Sequence, residues 1–192
     1  MNNKDGSIDN TTLFKKCDFS DFKKVLIRIK PSERFGGIGL FAMRDLGKGM
    51  MFAKWELMNE DLFFSWDDFE KIDEESKETV LDFCAEAENG FYAPTDINYI
   101  SLPWHMNHCC DGNVGFNENG DFITIKDVKK GEELFYDYGL VMSNSRYKLD
   151  CKCGSENCRK IITGDDWKNI NFQKENYQYM SPEIKEMIDS IK

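Results

Sequence analysis

A mainly β fold with a helical insert and a helical tail is predicted by three features of the chain. These are short alternating apolar runs separated by glycine turns, a helix-patterned acidic stretch from Glu56 to Gly90, and a capped apolar stripe at the carboxyl end. At 192 residues the chain suits one domain, able to bury roughly two-thirds of its unfolded surface without covalent staples. The expected layout is a polar amino-terminal segment (1–22), a β domain (23–140) with its insert (56–90), a cysteine-rich segment (141–164) and a helical tail (165–192).

The first strand is expected over Val25 to Ile29, VLIRI, which alternates and is rich in β formers. The next run, Gly36-Gly37-Ile38-Gly39-Leu40-Phe41-Ala42, satisfies from Gly37 onward the G-x-G-x-x-[GA] pattern of dinucleotide-binding loops. Such a loop must open into a helix whose amino end meets a pyrophosphate. Here it opens into strand-like Leu40 to Met43, the turn Asp45-Leu46-Gly47-Lys48-Gly49 and a further strand from Met50 to Trp55. The dinucleotide reading is therefore rejected. Further on, the stretch from Phe122 to Gly131 echoes that from Leu40 to Gly49: an apolar strand, a basic residue, Asp, an aliphatic residue, then a Lys-Gly turn. Two copies are too few for a solenoid and predict a pair of similar hairpin corners.

Ser65-Trp66-Asp67-Asp68 resembles a capping box, with Phe69 and Ile72 on one face. A helix is expected from Ser76 to Ala87, ending near Gly90. In the tail, Ser181 caps a helix that has Pro182 at its first position, and Ile184, Met187, Ile188 and Ile191 form a packing stripe.

The formal charge is −10, and it is concentrated between Glu56 and Glu88. Phosphate neutralisation needs clustered Lys and Arg, so direct nucleic-acid binding is disfavoured and a basic peptide or protein suits the chain better. An acidic solvated helix face is the plainer account of the same charge. No apolar run approaches the roughly 20 residues of a membrane span, and the amino end lacks the apolar core of a secretory signal. A soluble, intracellular protein is expected, in nucleus or cytoplasm. Its seven cysteines, an odd number, suit reduced thiols rather than a disulfide framework. Cys151-Lys152-Cys153-Gly154-Ser155-Glu156-Asn157-Cys158 places three thiols around a glycine turn, one ligand short of tetrahedral zinc. Cys109, Cys110 and His108 are the nearest sources of a fourth.

Four blocks in order now resemble the SET-domain protein lysine methyltransferases. Gly37-Ile38-Gly39-Leu40-Phe41-Ala42 is similar to that family's G-x-G-[VL]-x-A loop. Met106-Asn107-His108-Cys109-Cys110-Asp111-Gly112-Asn113 is similar to its N-H-S-C-x-P-N. Gly131-Glu132-Glu133-Leu134-Phe135-Tyr136-Asp137-Tyr138-Gly139 is similar to its G-E-E-L-x-Y-D-Y-G, and the cysteine cluster with Arg159 is similar to its post-SET segment. The resemblance implies small curved β-sheets, with the segment from Gly131 to Gly139 passing beneath a loop near Asn107 to form a pseudoknot, and a post-SET zinc loop. It further implies S-adenosylmethionine as cofactor, with Gly37, Ile38, Gly39, Asn107, His108 and Tyr138 binding it. Structural zinc would be held by Cys110, Cys151, Cys153 and Cys158, clamping the carboxyl segment over the active site. Ile161, Ile162 and Trp167 are candidates to line or cap the channel; simple apolar packing is the plainer account of all three and the favoured one for Trp167.

The implied chemistry suits these residues. Methyl transfer from a sulfonium needs an amine lone pair held in line, so proximity does most of the work. A lysine amine, with a pKa of about 10.4, must first lose its proton, and an aromatic channel beside a cation favours that loss. By resemblance Tyr138 orients amine and methyl, while Tyr136 falls where the family varies between Phe and Tyr and implies a mainly monomethylated product. The substrate expected is a basic protein segment carrying the target lysine: a histone, a histone-like tail or a ribosomal protein. Gly112 stands where the family has proline, Cys109 where it has serine, and the strand from Met50 to Leu57 lacks the family's E-Y-x-G-E. That altered strand leaves a second reading open, a catalytically silent SET-fold module that binds a peptide or partner. A thiol redox protein is a third.

Overall fold

Isoleucines at alternate positions draw residues 27–31 into a strand paired with residues 38–42. The computed structural model describes residues 24–54 and 63–191. The polar segment 1–22 and the expected strand beyond residue 54, Trp55 included, lie outside the described residues. Strand β1 (Ile27–Pro31) pairs antiparallel with β2 (Ile38–Ala42), Ile29 opposite Leu40. Between them Gly36 and Gly37 take φ of 74° and 64°, the left-handed region that only glycine enters freely. The glycine loop opens into a strand, as its flanking sequence predicts. After the first corner comes β3 (Met51–Ala53).

The insert is mixed. A short strand β4 (Phe63–Ser65) leads into α1 (Trp66–Phe69), where Ser65 and Asp68 form the reciprocal capping box. Helix α2 (Glu74–Phe83) starts at Asp73, whose carboxylate accepts from the Ser76 amide at 2.9 Å. Asp67, Asp68, Glu74 and Glu75 lie in the first turns of these helices, where the helix dipole favours negative charge, so part of the acidic excess has a local structural use. The helix expected to run to Ala87 stops at Phe83. Cys84 turns extended, and β5 (Ala85–Ala87) pairs with β6 (Gly90–Tyr92), which also pairs with β4. The tertiary pairing overrides a local helical preference. A Cβ on Gly90 would lie 2.0 Å from the Phe64 carbonyl oxygen, so β6 can approach β4 only with glycine there.

Beyond the insert, β7 (Asn107–His108), β8 (Val114–Phe116), β9 (Phe122–Thr124) and β10 (Glu133–Tyr136) complete the main sheet, in the order β1-β2-β10-β8-β9-β3 with β7 also on β10. Both β7 and β8 run parallel to β10, Tyr136 lying opposite His108 and Val114. The loop joining β7 to β8 therefore arches over β10, its Cys109 and Asn113 amides donating to the Tyr136 and Phe135 carbonyls at 3.1 and 3.0 Å. This is the threaded topology, and it is tight: a Cβ on Gly112 would sit 3.0 Å from the Phe135 carbonyl oxygen and Tyr136 Cα.

The two echoing corners face each other across a local two-fold relationship. Leu46 and Val128 exchange both amide-to-carbonyl bonds, at 2.8 and 2.9 Å. Asp127 accepts from the Lys48 amide at 2.8 Å, and Asp45 from the Lys130 amide at 2.9 Å. Gly49 and Gly131 close the corners at φ of 84° and 92°.

The carboxyl region adds a hairpin, β11 (Lys148–Asp150) with β12 (Ile161–Thr163), then α3 (Ile170–Asn176) and α4 (Pro182–Ser190). Ser181 caps α4 as expected. Ile184 and Ile188 are buried with Leu40, Val114, Phe116 and Leu134 in the main core, and Trp167 joins them. Full burial of each isoleucine is worth roughly 1.5–3 kcal/mol, which fixes the tail on the sheet. Ile191 leaves the expected stripe and is exposed.

Candidate active site

Three tyrosines converge where β10 ends. The rings of Tyr136 and Tyr138 lie 4.9 Å apart, and Phe116 and Phe122 meet Tyr136 edge-on at 5.9 and 6.3 Å. Tyr147, just before β11, packs against the same group. The Tyr138 hydroxyl donates to the Met106 carbonyl at 3.0 Å. The hydroxyls of Tyr136 and Tyr147 have no hydrogen-bond partner among the described residues. Burial pushes all three phenols up, so they are neutral hydrogen-bonding groups at ordinary pH.

Two cavities meet at Tyr138 and Tyr147. One is walled by Cys84, Trp104, Phe122, Tyr136 and Met142, with Lys54 beside them. The other is walled by Phe35, Asn107, His108 and Leu149, with Arg34, Lys152 and Asp150 beside them. Leu81 and Asp82, from α2, line both. Aromatic faces and charges of both signs stand together in this second cavity.

Asn107, His108 and Tyr138 thus lie on one cavity wall, whereas Gly37, Ile38 and Gly39 line neither cavity. The glycine loop is instead tied to that wall. The Asn107 side-chain amide donates to the Ile38 carbonyl and to Glu133 Oε1, both at 2.9 Å, and Ser32 Oγ donates to Glu133 Oε2 at 3.0 Å. A Cβ on Gly39 would meet the Glu133 carboxylate at 2.1 Å, so a larger residue there would have to push that side chain off Asn107 and Ser32. Ile162 is buried against the cysteines, Trp167 lies in the core and Ile161 is exposed. None of the three lines either cavity, which corrects the channel expectation for Ile161 and Ile162, while Trp167 takes the core packing favoured for it.

The Sγ atoms of Cys110, Cys151, Cys153 and Cys158 all lie within 4.8 Å of one another. Cys110 and Cys158 stand 3.9 and 3.7 Å from Cys151. Thiolates at about 2.3 Å from tetrahedral zinc are roughly 3.8 Å apart, so donors and spacing fit such an ion. Cys109 is buried nearby but outside the set. Amides of Cys153 and Arg159 donate to Cys151 and Cys110 sulfurs, each at 3.4 Å, the outer support a thiolate site uses.

His108 links this cluster to the tyrosines. Burial pushes its pKa down to about 4, so the ring is neutral. Its Nδ1 accepts from the Tyr138 amide at 3.1 Å, which puts the proton on Nε2, 3.4 Å from Cys110 Sγ. Beside it, Arg159 holds the buried Asp137 carboxylate with two bonds of 2.5 and 2.6 Å, reaches Asp166 at 3.1 Å and lies over Phe172. Arg34 packs over Phe35 and Phe135, 5.4 and 5.1 Å from the ring centres, and donates to the Cys153 carbonyl.

Residues 37–139, more than half the chain, match the SET domain. The chain belongs to the SET-domain family. The four sequence blocks and the threaded β10 of this SET domain agree with that assignment. Among curated relatives, human histone-lysine N-methyltransferase 2D is 31% identical over 142 residues, covering 66% of this chain and 2% of that protein. Histone-lysine N-methyltransferase EZH2 of Chaetomium thermophilum is 34% identical over 124 residues, covering 59% and 8%. The chain therefore spans a small fraction of those relatives. The solved structure of KRYPTONITE in complex with mCHG DNA and SAH overlaps at a TM-score of 0.47 and 15% identity, over 70% of this chain and 28% of that one.

Sequence reading missed Tyr147 and Arg34. Tyr147 carries one faint signal, an aromatic alone in the polar run Ser143-Asn144-Ser145-Arg146-Tyr147-Lys148 ahead of the cysteines. Arg34 carries none.

Proposed function

We propose that this SET domain is an S-adenosylmethionine-dependent protein-lysine N-methyltransferase acting on a basic segment such as a histone or histone-like tail, with monomethyl-lysine as its main product. The observation that carries the reading is the meeting of two cavities at Tyr138, one able to take a cofactor and the other a lysine side chain. The relatives named as histone-lysine N-methyltransferases support it.

S-adenosylmethionine bound beside Asn107, His108 and Tyr138 supplies an electrophilic methyl on a sulfonium. The aromatic walls of the first cavity disfavour the ammonium form of an entering lysine, so its proton leaves to solvent before attack. The Tyr138 proton is committed to the Met106 carbonyl, which leaves the phenol oxygen as an acceptor that aligns an amine N–H or a polarised methyl C–H. The uncommitted Tyr136 hydroxyl can hold a water beside the amine and so leaves little room for further methyls. Because the lysine sheds its proton to solvent, Tyr138 need not act as a base, and the bond from its amide to His108 Nδ1 fixes its backbone. Cys110, Cys151, Cys153 and Cys158 would hold structural zinc, with all four positions filled by sulfur and none open for catalysis.

The test is transfer of labelled methyl from S-adenosylmethionine to core histones and whole-cell protein, with labelled residues identified by mass spectrometry. Label on lysine that falls steeply in Tyr138→Phe supports the reading. Absence of both label and cofactor binding would replace it with the silent peptide-binding module.

A further inference from the structure

The acidic insert reaches the active site through a path of side-chain and backbone bonds. Strand β5 grips residues 142–145: the Glu86 carbonyl accepts from the Ser143 amide at 3.1 Å, the Glu86 amide donates to Met142 Sδ at 3.3 Å, and Glu86 Oε2 accepts from Asn144 Nδ2 at 2.6 Å. Glu88 accepts from the Ser145 amide and hydroxyl at 2.8 and 3.1 Å. Asn144, itself buried, in turn fixes Arg146 and Tyr147. Its side-chain oxygen accepts from the Arg146 amide at 3.1 Å and its carbonyl from the Tyr147 amide at 2.9 Å. From the other side the Gly164 amide donates to the Tyr147 carbonyl at 3.3 Å. This much anchoring around one polar turn needs a reason, and the residue it delivers is Tyr147, which lines both cavities and whose hydroxyl has no hydrogen-bond partner among the described residues.

We propose that Tyr147 is a third tyrosine of the amine site, its hydroxyl contacting the lysine nitrogen or the water beside it, and that Glu86 is a positioning residue that holds Tyr147 there through Asn144. The inference rests on the reading that the two cavities take a cofactor and a lysine amine. With the Tyr138 proton committed to Met106, that phenol can only accept, and Tyr136 and Tyr147 carry the two hydroxyls, without partners among the described residues, that can both donate to and accept from an amine or its water. The insert thereby does more than present charge, because the same hairpin sets the wall that decides how an amine sits.

The probe is the S-adenosylmethionine analogue in which an amine-bearing carbon replaces the methyl sulfonium, compared with the plain thioether product by calorimetry. Its amine takes the place of the transferable methyl and points into the amine site without any protein substrate. Loss of one hydrogen bond predicts that Tyr147→Phe weakens the amine analogue by about 5- to 10-fold while thioether affinity stays within about twofold. Glu86→Ala should show the same selective loss and Glu86→Gln, which still accepts from Asn144, should restore it. Wild type that binds both compounds, with ratios unchanged in Tyr147→Phe and Glu86→Ala, overturns this inference and leaves the methyltransferase reading standing. Wild type that binds neither compound overturns both.

Discussion

The Tyr138 hydroxyl donates to the Met106 carbonyl at 3.0 Å while the Tyr138 amide is held by His108. Orientation of this phenol is therefore set from two directions before any ligand arrives. Removing the oxygen removes an acceptor used only in the aligned complex. Tyr138→Phe should lower kcat by about 10- to 100-fold and leave cofactor affinity within a few-fold. Equal losses in kcat and in cofactor binding would mean that the residue only shapes the cavity.

On the proposed reading Tyr136→Phe should shift the product from monomethyl towards di- and trimethyl-lysine, because a water held by its hydroxyl would give way to space for a methyl. Intact-mass analysis of a methylated peptide checks this. An unchanged product distribution would remove Tyr136 from that role.

Zinc content should be about one per chain, held in Cys109→Ser and lost in Cys110→Ser, with a fall in Tm and in activity only for the latter. The structure separates two adjacent cysteines that the sequence leaves side by side, so the pair of variants is a sharp check. Metal retained in Cys110→Ser would break the four-thiolate assignment.

Glu183, in the first turn of α4, accepts from the Tyr92 hydroxyl and is pushed up to about 7 by burial and then by Glu186, against 4.5 when unfolded. Between those values the folded state keeps a proton the unfolded chain has lost, so stability falls as pH rises through that window. Glu183→Gln should match wild type near pH 4 and exceed it by about 1–3 kcal/mol at pH 8, read as a Tm gap that opens with pH. Parallel Tm curves would contradict the burial argument.

A Cβ on Gly164 would lie 1.9 Å from the Asn144 carbonyl oxygen. Because the clash is with backbone, Gly164→Ala should destabilise the fold by more than about 2 kcal/mol and displace Tyr147 with it. Denaturant unfolding together with amine-analogue binding measures both effects.

How much the sequence disclosed depends on how local each signal is. The matching corners were legible because each copy carries its own Asp and Lys-Gly turn, and their mutual bonding was the only missing fact. The helix caps at Ser65 and Ser181 were legible for the same reason. The switch at Cys84 was not, since Ala85, Glu86 and Ala87 suit a helix and only β6 makes them a strand. Gly90 was the one local clue. At the candidate site, Tyr136, Tyr138 and the cysteines came from short motifs. Tyr147 depends on an Asn144–Glu86 bond spanning 58 residues, which no window of sequence contains.

The facing corners also bear on how such a domain can change. Asp127 with Lys48 and Asp45 with Lys130 join positions 79 and 85 residues apart, and the whole insert lies in the loop those contacts close. Closure entropy grows only with the logarithm of loop length, about 0.6 kcal/mol per doubling. The corner pair thus works as a buckle: the scaffold that bears the tyrosines is fastened independently of how long the strap between its ends becomes. Within that strap the insert is free to lengthen, shorten or diverge, provided Asn107, His108 and Cys110 keep their places beside β10 and a residue equivalent to Glu86 still reaches Asn144.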